Sequence, residues 1–253
     1  MRSNPPIIVL GMHKSGTTLL SQTLHASGIE MIEGTTAGSY DDGNKMERES
    51  TRLHNISLLG SEGQESVFTV RKFNLKSTSS TQWARGRDII ELESESGSWG
   101  FKDPRTLLTL EYWTTLSPQS RMIAIFRDPS EVYNHYEKRA RKMSPKKRLK
   151  YKMSSIHAWC VYNSELLRLV QANPEILLLE YSAFLSQDEE SSRLEKFLNI
   201  AISDQRNPLM RRSNSAKSLS FLSLKRIETF INKLNTDEIY QGLQAARKSQ
   251  MHI

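Results

Sequence analysis

A single cysteine, Cys160, is all the thiol this chain carries. That excludes an internal disulfide and argues against a cysteine-ligated metal site, to which it could give one thiol at most. Cys160 lies in the run Ile156-His157-Ala158-Trp159-Cys160-Val161, where a buried helix position explains it better than a catalytic thiol does. No stretch of about 18 apolar residues occurs, so no membrane-spanning helix is expected. The early apolar run Pro5-Pro6-Ile7-Ile8-Val9-Leu10 is too short for the apolar region of a signal peptide. Together these shortages place the chain in the cytoplasm, a reducing compartment.

Acidic residues are missing from one segment altogether. Residues 138–152 hold nine lysines or arginines and no aspartate or glutamate. Tyr151 is the only aromatic there, so the stacking platforms of a single-strand nucleic-acid binder are lacking. Over the whole chain of 253 residues, 35 basic against 28 acidic residues give a net charge of +7, which favours anionic partners. The hydrophobic share of 37% and charged share of 25% suit a globular α/β domain, and one domain over 1–253 is expected, its part from about 203 onward helical.

Short apolar runs alternate with helical periodicity, the pattern of a parallel central sheet flanked by helices. Buried strands are expected at residues 7–10, 98–102, 121–127 and 175–181, with a further strand at 67–73. Helices are expected at 14–27 (Leu19, Leu20 and Leu24 inward, Gly28 as the stop), 45–59, 82–94, 104–116, 129–142 and 145–172. Leu194, Phe197 and Leu198, then Phe221, Leu224, Ile227, Phe230, Ile231 and Leu234, have core-facing spacing in the helical remainder. Residues 203–218 read as the most mobile stretch.

Gly11-Met12-His13-Lys14-Ser15-Gly16-Thr17-Thr18 follows the first strand and opens a helix. Glycines let the backbone approach a phosphate, and the helix N-terminus offers free N–H groups and a positive dipole end. The two glycines have Walker A spacing, yet Thr17 follows the second one and the lysine stands inside the loop as Lys14. A lysine there can meet a singly charged sulfuryl group without a metal. Two later segments share one design: Lys102-Asp103-Pro104-Arg105 and Arg127-Asp128-Pro129-Ser130 each end a strand with a cation, place Asp at the helix N-cap and Pro at the first helical position. Lys14, Lys102 and Arg127 thus all belong at the carboxyl edge of the sheet, where α/β proteins bind ligands.

These residues resemble the sulfotransferases that use PAPS (3′-phosphoadenosine-5′-phosphosulfate), in their bacterial and carbohydrate-type branch, over about residues 6–200. The resemblance implies the P-loop NTPase-like sulfotransferase fold, PAPS as donor, adenosine 3′,5′-bisphosphate as product and no metal. It implies that His13, Lys14, Ser15, Gly16, Thr17 and Thr18 hold the 5′-phosphosulfate and that Arg127 holds the 3′-phosphate. The family's serine eight residues after that arginine is replaced here by His135, so Asn134 or His135 takes its place. Glu180-Tyr181-Ser182-Ala183-Phe184 resembles the block whose tyrosine lies near the adenine, and Arg211, Arg212 and Lys217 resemble a basic C-terminal motif that closes over the 3′-phosphate. The histidine-bearing Lys-Thr-His run of the hormone-type branch is absent, since Lys102 is followed by Asp103 and Pro104.

Sulfuryl transfer needs a cation at the leaving oxygen and a base for the acceptor proton. Lys14 is the first candidate for the cation and Lys102 the second. For the base, Gly43-Asn44-Lys45-Met46-Glu47-Arg48-Glu49 resembles the branch's acidic motif, which nominates Glu47; His54, seven residues on and on the same helical face, is the alternative. The acceptor hydroxyl is expected on a carbohydrate, and the basic segment fits an acidic glycan. Two rivals are a P-loop small-molecule kinase, against which Thr17 argues, and a nucleic-acid-binding protein built on residues 138–152, which leaves the loop and both strand ends unexplained.

Overall fold

In the computed structural model, residues 4–33, 46–62, 68, 70–95, 97–207 and 218–252 are described. Four strands, β1 (Ile7–Leu10), β2 (Gly100–Lys102), β3 (Arg121–Phe126) and β4 (Leu177–Glu180), form one parallel sheet in the order β2-β1-β3-β4. Val9 pairs with Lys102, Leu10 with Ala124, and Phe126 with Glu180, so the carboxyl ends of all four strands share one edge. The chain leaves β1 for one neighbour and later returns to the other, which makes β1/β3 the switch point where such sheets open a crevice.

The apolar strands bury both faces, as a parallel sheet requires. Ile8, Leu10, Phe101, Ala124, Phe126 and Leu178 face one core, shared with α3 (Ser80–Ser94), α4 (Thr106–Leu116), α5 (Pro129–Ala140) and α6 (Pro145–Ala172). Val9, Ile123, Ile125 and Leu179 face the other, with Leu20 and Leu24 of α1 (Thr17–Ala26) and Leu194 and Leu198 of α8 (Asp188–Leu198). Cys160 is fully buried on α6, and Gly28 takes a φ of 89° just past α1, both as expected. The short α7 (Tyr181–Ser186) begins directly at the end of β4. Among the described residues, no helix is long and apolar enough to cross a membrane.

Several expectations are corrected. Among the described residues of 67–73 no strand forms: residues 70–73 are irregular, 67 and 69 lie outside the described residues, and Phe68 packs edge-on against Tyr136 and Tyr151. Helix α1 starts at Thr17 rather than residue 14, because Lys14 and Gly16 both take positive φ, which no helix tolerates. Helix α2 (Glu49–Leu58) starts after Glu47, so Glu47 and His54 do not share a helical face. Asp128 caps α5 by accepting from the Ser130 and Glu131 N–H groups, but Asp103 does not cap α4. Its carboxylate takes the Arg105 N–H and guanidinium and the Asn55 amide instead, and the helix begins only at Thr106.

Helices α9 (Leu219–Asn232) and α10 (Thr236–Ser249) complete the described chain. Phe221 and Leu224 enter the core, whereas Ile227, Phe230 and Ile231 do not: Phe230 is 78% exposed. One stripe of α9 faces the body through Phe221, Leu224 and Glu228, which pairs with His157 of α6, and a single contact stripe cannot cover so wide an apolar arc.

Candidate active site at the carboxyl edge of the sheet

Each strand end delivers a piece of the site. After β1 the chain makes a sharp loop that glycine alone permits. Gly11 (φ 153°) crosses so close to β3 that an added Cβ would stand 2.5 Å from the Ile125 carbonyl oxygen. Gly16 (φ 98°) lies under Tyr181, whose ring would be 2.2 Å from a methyl there. Lys14 is itself left-handed, with φ 67°. Alternating left-handed positions turn successive N–H groups inward into an anion-binding concavity. Ser15 is fully buried in that loop, and its Oγ has no hydrogen-bond partner. An unsatisfied buried hydroxyl in a cradle shut to any Cβ fits a phosphate or sulfate oxygen.

Arg127 follows β3 and reaches across the switch point. Its Nη1 donates to the Lys14 carbonyl at 3.4 Å, its Nε to Glu131 at 2.6 Å, and its guanidinium lies 4.2 Å over the Tyr181 ring. The Trp159 indole N–H holds the Arg127 carbonyl at 3.2 Å, which fixes the backbone there. His135, on α5, is acted on by Lys14, Arg127, Lys138 and Arg139.

Lys102 ends β2 with its side chain 2% exposed, and its Nζ is 2.9 Å from Glu47 Oε1. Burial lowers its pKa below the usual 10.5; Glu47 and Asp103 oppose that shift and Lys14 adds to it. The charges of Lys102 and Lys14 therefore act on one another at this edge. Glu47 owes its position to the next residue. Arg48 is completely buried, paired with Glu93 of α3 and donating to the carbonyls of Gly100 (3.3 Å) and Glu30 (2.8 Å). It rivets the segment before α2 to the β2 edge. Nothing in the run Glu47-Arg48-Glu49 marks the arginine as buried, since such alternation usually reads as solvated charge.

Thus Lys14, Lys102, Arg127, His135, Tyr181 and Glu47 come together around one edge, with Ser15 and Gly16 in the loop and Thr17 opening α1. His54 does not join them. It is fully buried, its ring against Tyr112 and Trp113, and its Nε2 is 2.8 Å from Tyr112 Oη. Tyr112 spends its one hydroxyl proton on the Gln82 carbonyl at 2.6 Å, so His54 must donate through Nε2–H. Burial first, then Arg85, pushes its pKa down to about 4. A base has to reach the acceptor oxygen, and an imidazole with no exposed surface does not. His54 is corrected from base to a strut between α2 and α4. Arg211, Arg212 and Lys217 lie outside the described residues, as do residues 43–45 of the acidic motif.

No group of three or more metal-ligating side chains occurs among the described residues. The fold is similar to the sulfotransferase domain from the Synechococcus PCC 7002 olefin synthase, with TM-score 0.51 and 16% identity over 90% of this chain and 95% of that one. It is also similar to the sulfotransferase domain from the curacin biosynthetic pathway, with TM-score 0.55 and 15% identity over 96% and 99% of the two chains. No curated protein sequence matches the chain. The profile of the sulfotransferase family, however, matches residues 5–204, from before β1 to beyond α8. With the parallel sheet, the loop after β1 and that span in agreement, the chain belongs to the sulfotransferase family.

Proposed function

We propose that this enzyme moves a sulfuryl group from PAPS to an acceptor hydroxyl of a carbohydrate, and that it acts in the cytoplasm. The observation that carries the reading is the convergence on one edge of Lys14, Lys102 and Arg127, each from a different strand end, with Arg127 bonded to the Lys14 backbone. Three cations around a crevice suit a ligand with two separated anionic ends better than they suit a neutral one.

PAPS supplies the sulfuryl group and departs as adenosine 3′,5′-bisphosphate. The loop N–H groups, Ser15, Thr17, Thr18 and Lys14 hold the 5′ end; Arg127 and His135 hold the 3′-phosphate; Tyr181 stands beside the adenine. His13 serves the loop as a positioning residue. Lys14 and Lys102 supply positive charge where charge develops on the leaving oxygen, which removes the need for a metal. Glu47 takes the acceptor's proton, and Lys102 beside it keeps the carboxylate aimed. Lys138, Arg139, Arg141, Lys142, Lys146, Lys147 and Lys150 are exposed on the α5–α6 hairpin, and their charge favours an acceptor bearing acidic groups.

The test is transfer from PAPS to a panel of neutral and acidic oligosaccharides. Wild-type protein should sulfate acidic acceptors without added metal, and Lys14→Ala should lose transfer while unfolding at nearly the wild-type temperature. Equal transfer by Lys14→Ala would refute the assignment.

A further inference from the structure

His135 is surrounded by positive charge from three parts of the chain. Its Nε2 is buried and lacks a hydrogen-bond partner. The charges acting most strongly on it are all positive: Lys14 from the loop after β1, Arg127 from the end of β3, and Lys138 and Arg139 from α5. The carboxylate one turn away on α5, Glu131, is committed to Arg127. From α6, Tyr151 packs on Tyr136 of α5, whose own ring stands edge-on to His135 at 5.6 Å. Burial first and these cations next push the imidazole pKa down to about 4, so the ring is neutral at pH 7. His54 also leaves a buried nitrogen, Nδ1, without a partner, but Arg85 is the one charge acting on it. His135 keeps Nε2 unsatisfied among four cations, an arrangement that an entering anion completes.

We infer that His135 takes a proton from solvent when a phosphate dianion enters between it and Arg127, and that this proton-coupled contact selects donors carrying a 3′-phosphate. A dianion within about 4–6 Å favours the charged imidazole, reversing the field of the cations. Protonated, Nε2 donates a charge-assisted bond that a neutral ring does not make. The inference rests on the PAPS reading above.

Adenosine 3′,5′-bisphosphate is titrated calorimetrically into wild-type protein and His135→Gln, near pH 7, in buffers of different protonation enthalpy. Wild type should take up more protons per nucleotide than the variant, by a measurable fraction of one. The variant should bind on the order of ten-fold more weakly. AMP, which lacks the 3′-phosphate, should show no difference in proton count between the two proteins. Should the variant misfold, imidazole NMR of the wild type gives the same answer, with the His135 pKa rising from about 4 on nucleotide addition. Binding with equal proton counts in both proteins, or an unmoved His135 pKa, overturns this inference and leaves the donor reading intact. Failure of the nucleotide to bind folded wild-type protein overturns both.

Discussion

Lys102 Nζ lies 2.9 Å from Glu47 Oε1, with side-chain exposures of 2% and 12%, so a buried lysine at the end of β2 has its counter-charge on the segment before α2. Removing Glu47 takes away the largest opposing charge on Lys102. Glu47→Gln should therefore cost about 3 kcal/mol of stability and lower turnover by about 10²–10⁴-fold. The pH dependence has a definite sign. The Lys102 pKa is depressed in the folded state, so the unfolded chain holds that proton up to its ordinary 10.5 while the folded one releases it earlier. Between those values stability rises with pH, and the variant, which lacks the opposing carboxylate, should recover more than wild type on approaching pH 10. Denaturant unfolding across alkaline pH measures this.

Arg48 contributes through its neighbour. Arg48→Ala removes the buried partner of Glu93 and the bonds to Gly100 and Glu30, at an expected cost of about 3–5 kcal/mol. Because Arg48 is completely buried, any surviving folded protein should lose turnover with the pH profile of wild type, whereas Glu47→Gln should change that profile.

His54 and His135 both have folded-state pKa values of about 4 against an ordinary 6.5. Below pH 6.5 the unfolded chain gains protons that the folded one refuses, so stability is present above that value and is lost as pH falls toward 4. His54→Phe should flatten this acid loss, cost about 2 kcal/mol at neutral pH, and leave turnover per folded molecule and its pH profile unchanged. Thermal unfolding between pH 4 and 7 and a pH–rate profile check the two halves.

The exposed hairpin cations act at long range. Charge reversal of Lys146, Lys147 and Lys150 to glutamate should leave stability within about 0.5 kcal/mol. It should raise KM for an acidic oligosaccharide several-fold, leave KM for PAPS unchanged, and make the acceptor KM less sensitive to salt. Initial rates at low and high ionic strength decide it.

What could be read from the chain alone followed from local constraint. The sheet strands announced themselves because burial on both faces demands unbroken apolar runs such as Met122-Ile123-Ala124-Ile125-Phe126. The loop was legible because only glycine suits Gly11 and Gly16. The failures arose where distant partners decide. Asp103 looks like a helix cap but is drawn into a buried network with Arg105 and Asn55, whose amide oxygen in turn accepts from Thr109 and Trp113. Phe230 has core spacing but lies on the exposed face of α9, where Lys233 covers its ring. Glu47 was named from a resemblance, while its lysine partner, 55 residues away, had no signal in the spacing.

The convergence of Lys14, Lys102 and Arg127 is tested most directly by thermal unfolding with adenosine 3′,5′-bisphosphate, ATP·Mg²⁺ or duplex DNA added to the wild-type protein. A bisphosphate at about 100 times its Kd should add about 2.7 kcal/mol and raise the midpoint by several degrees, with no comparable rise from the other two. A rise with ATP·Mg²⁺ or DNA alone, and none with the bisphosphate, would contradict the account.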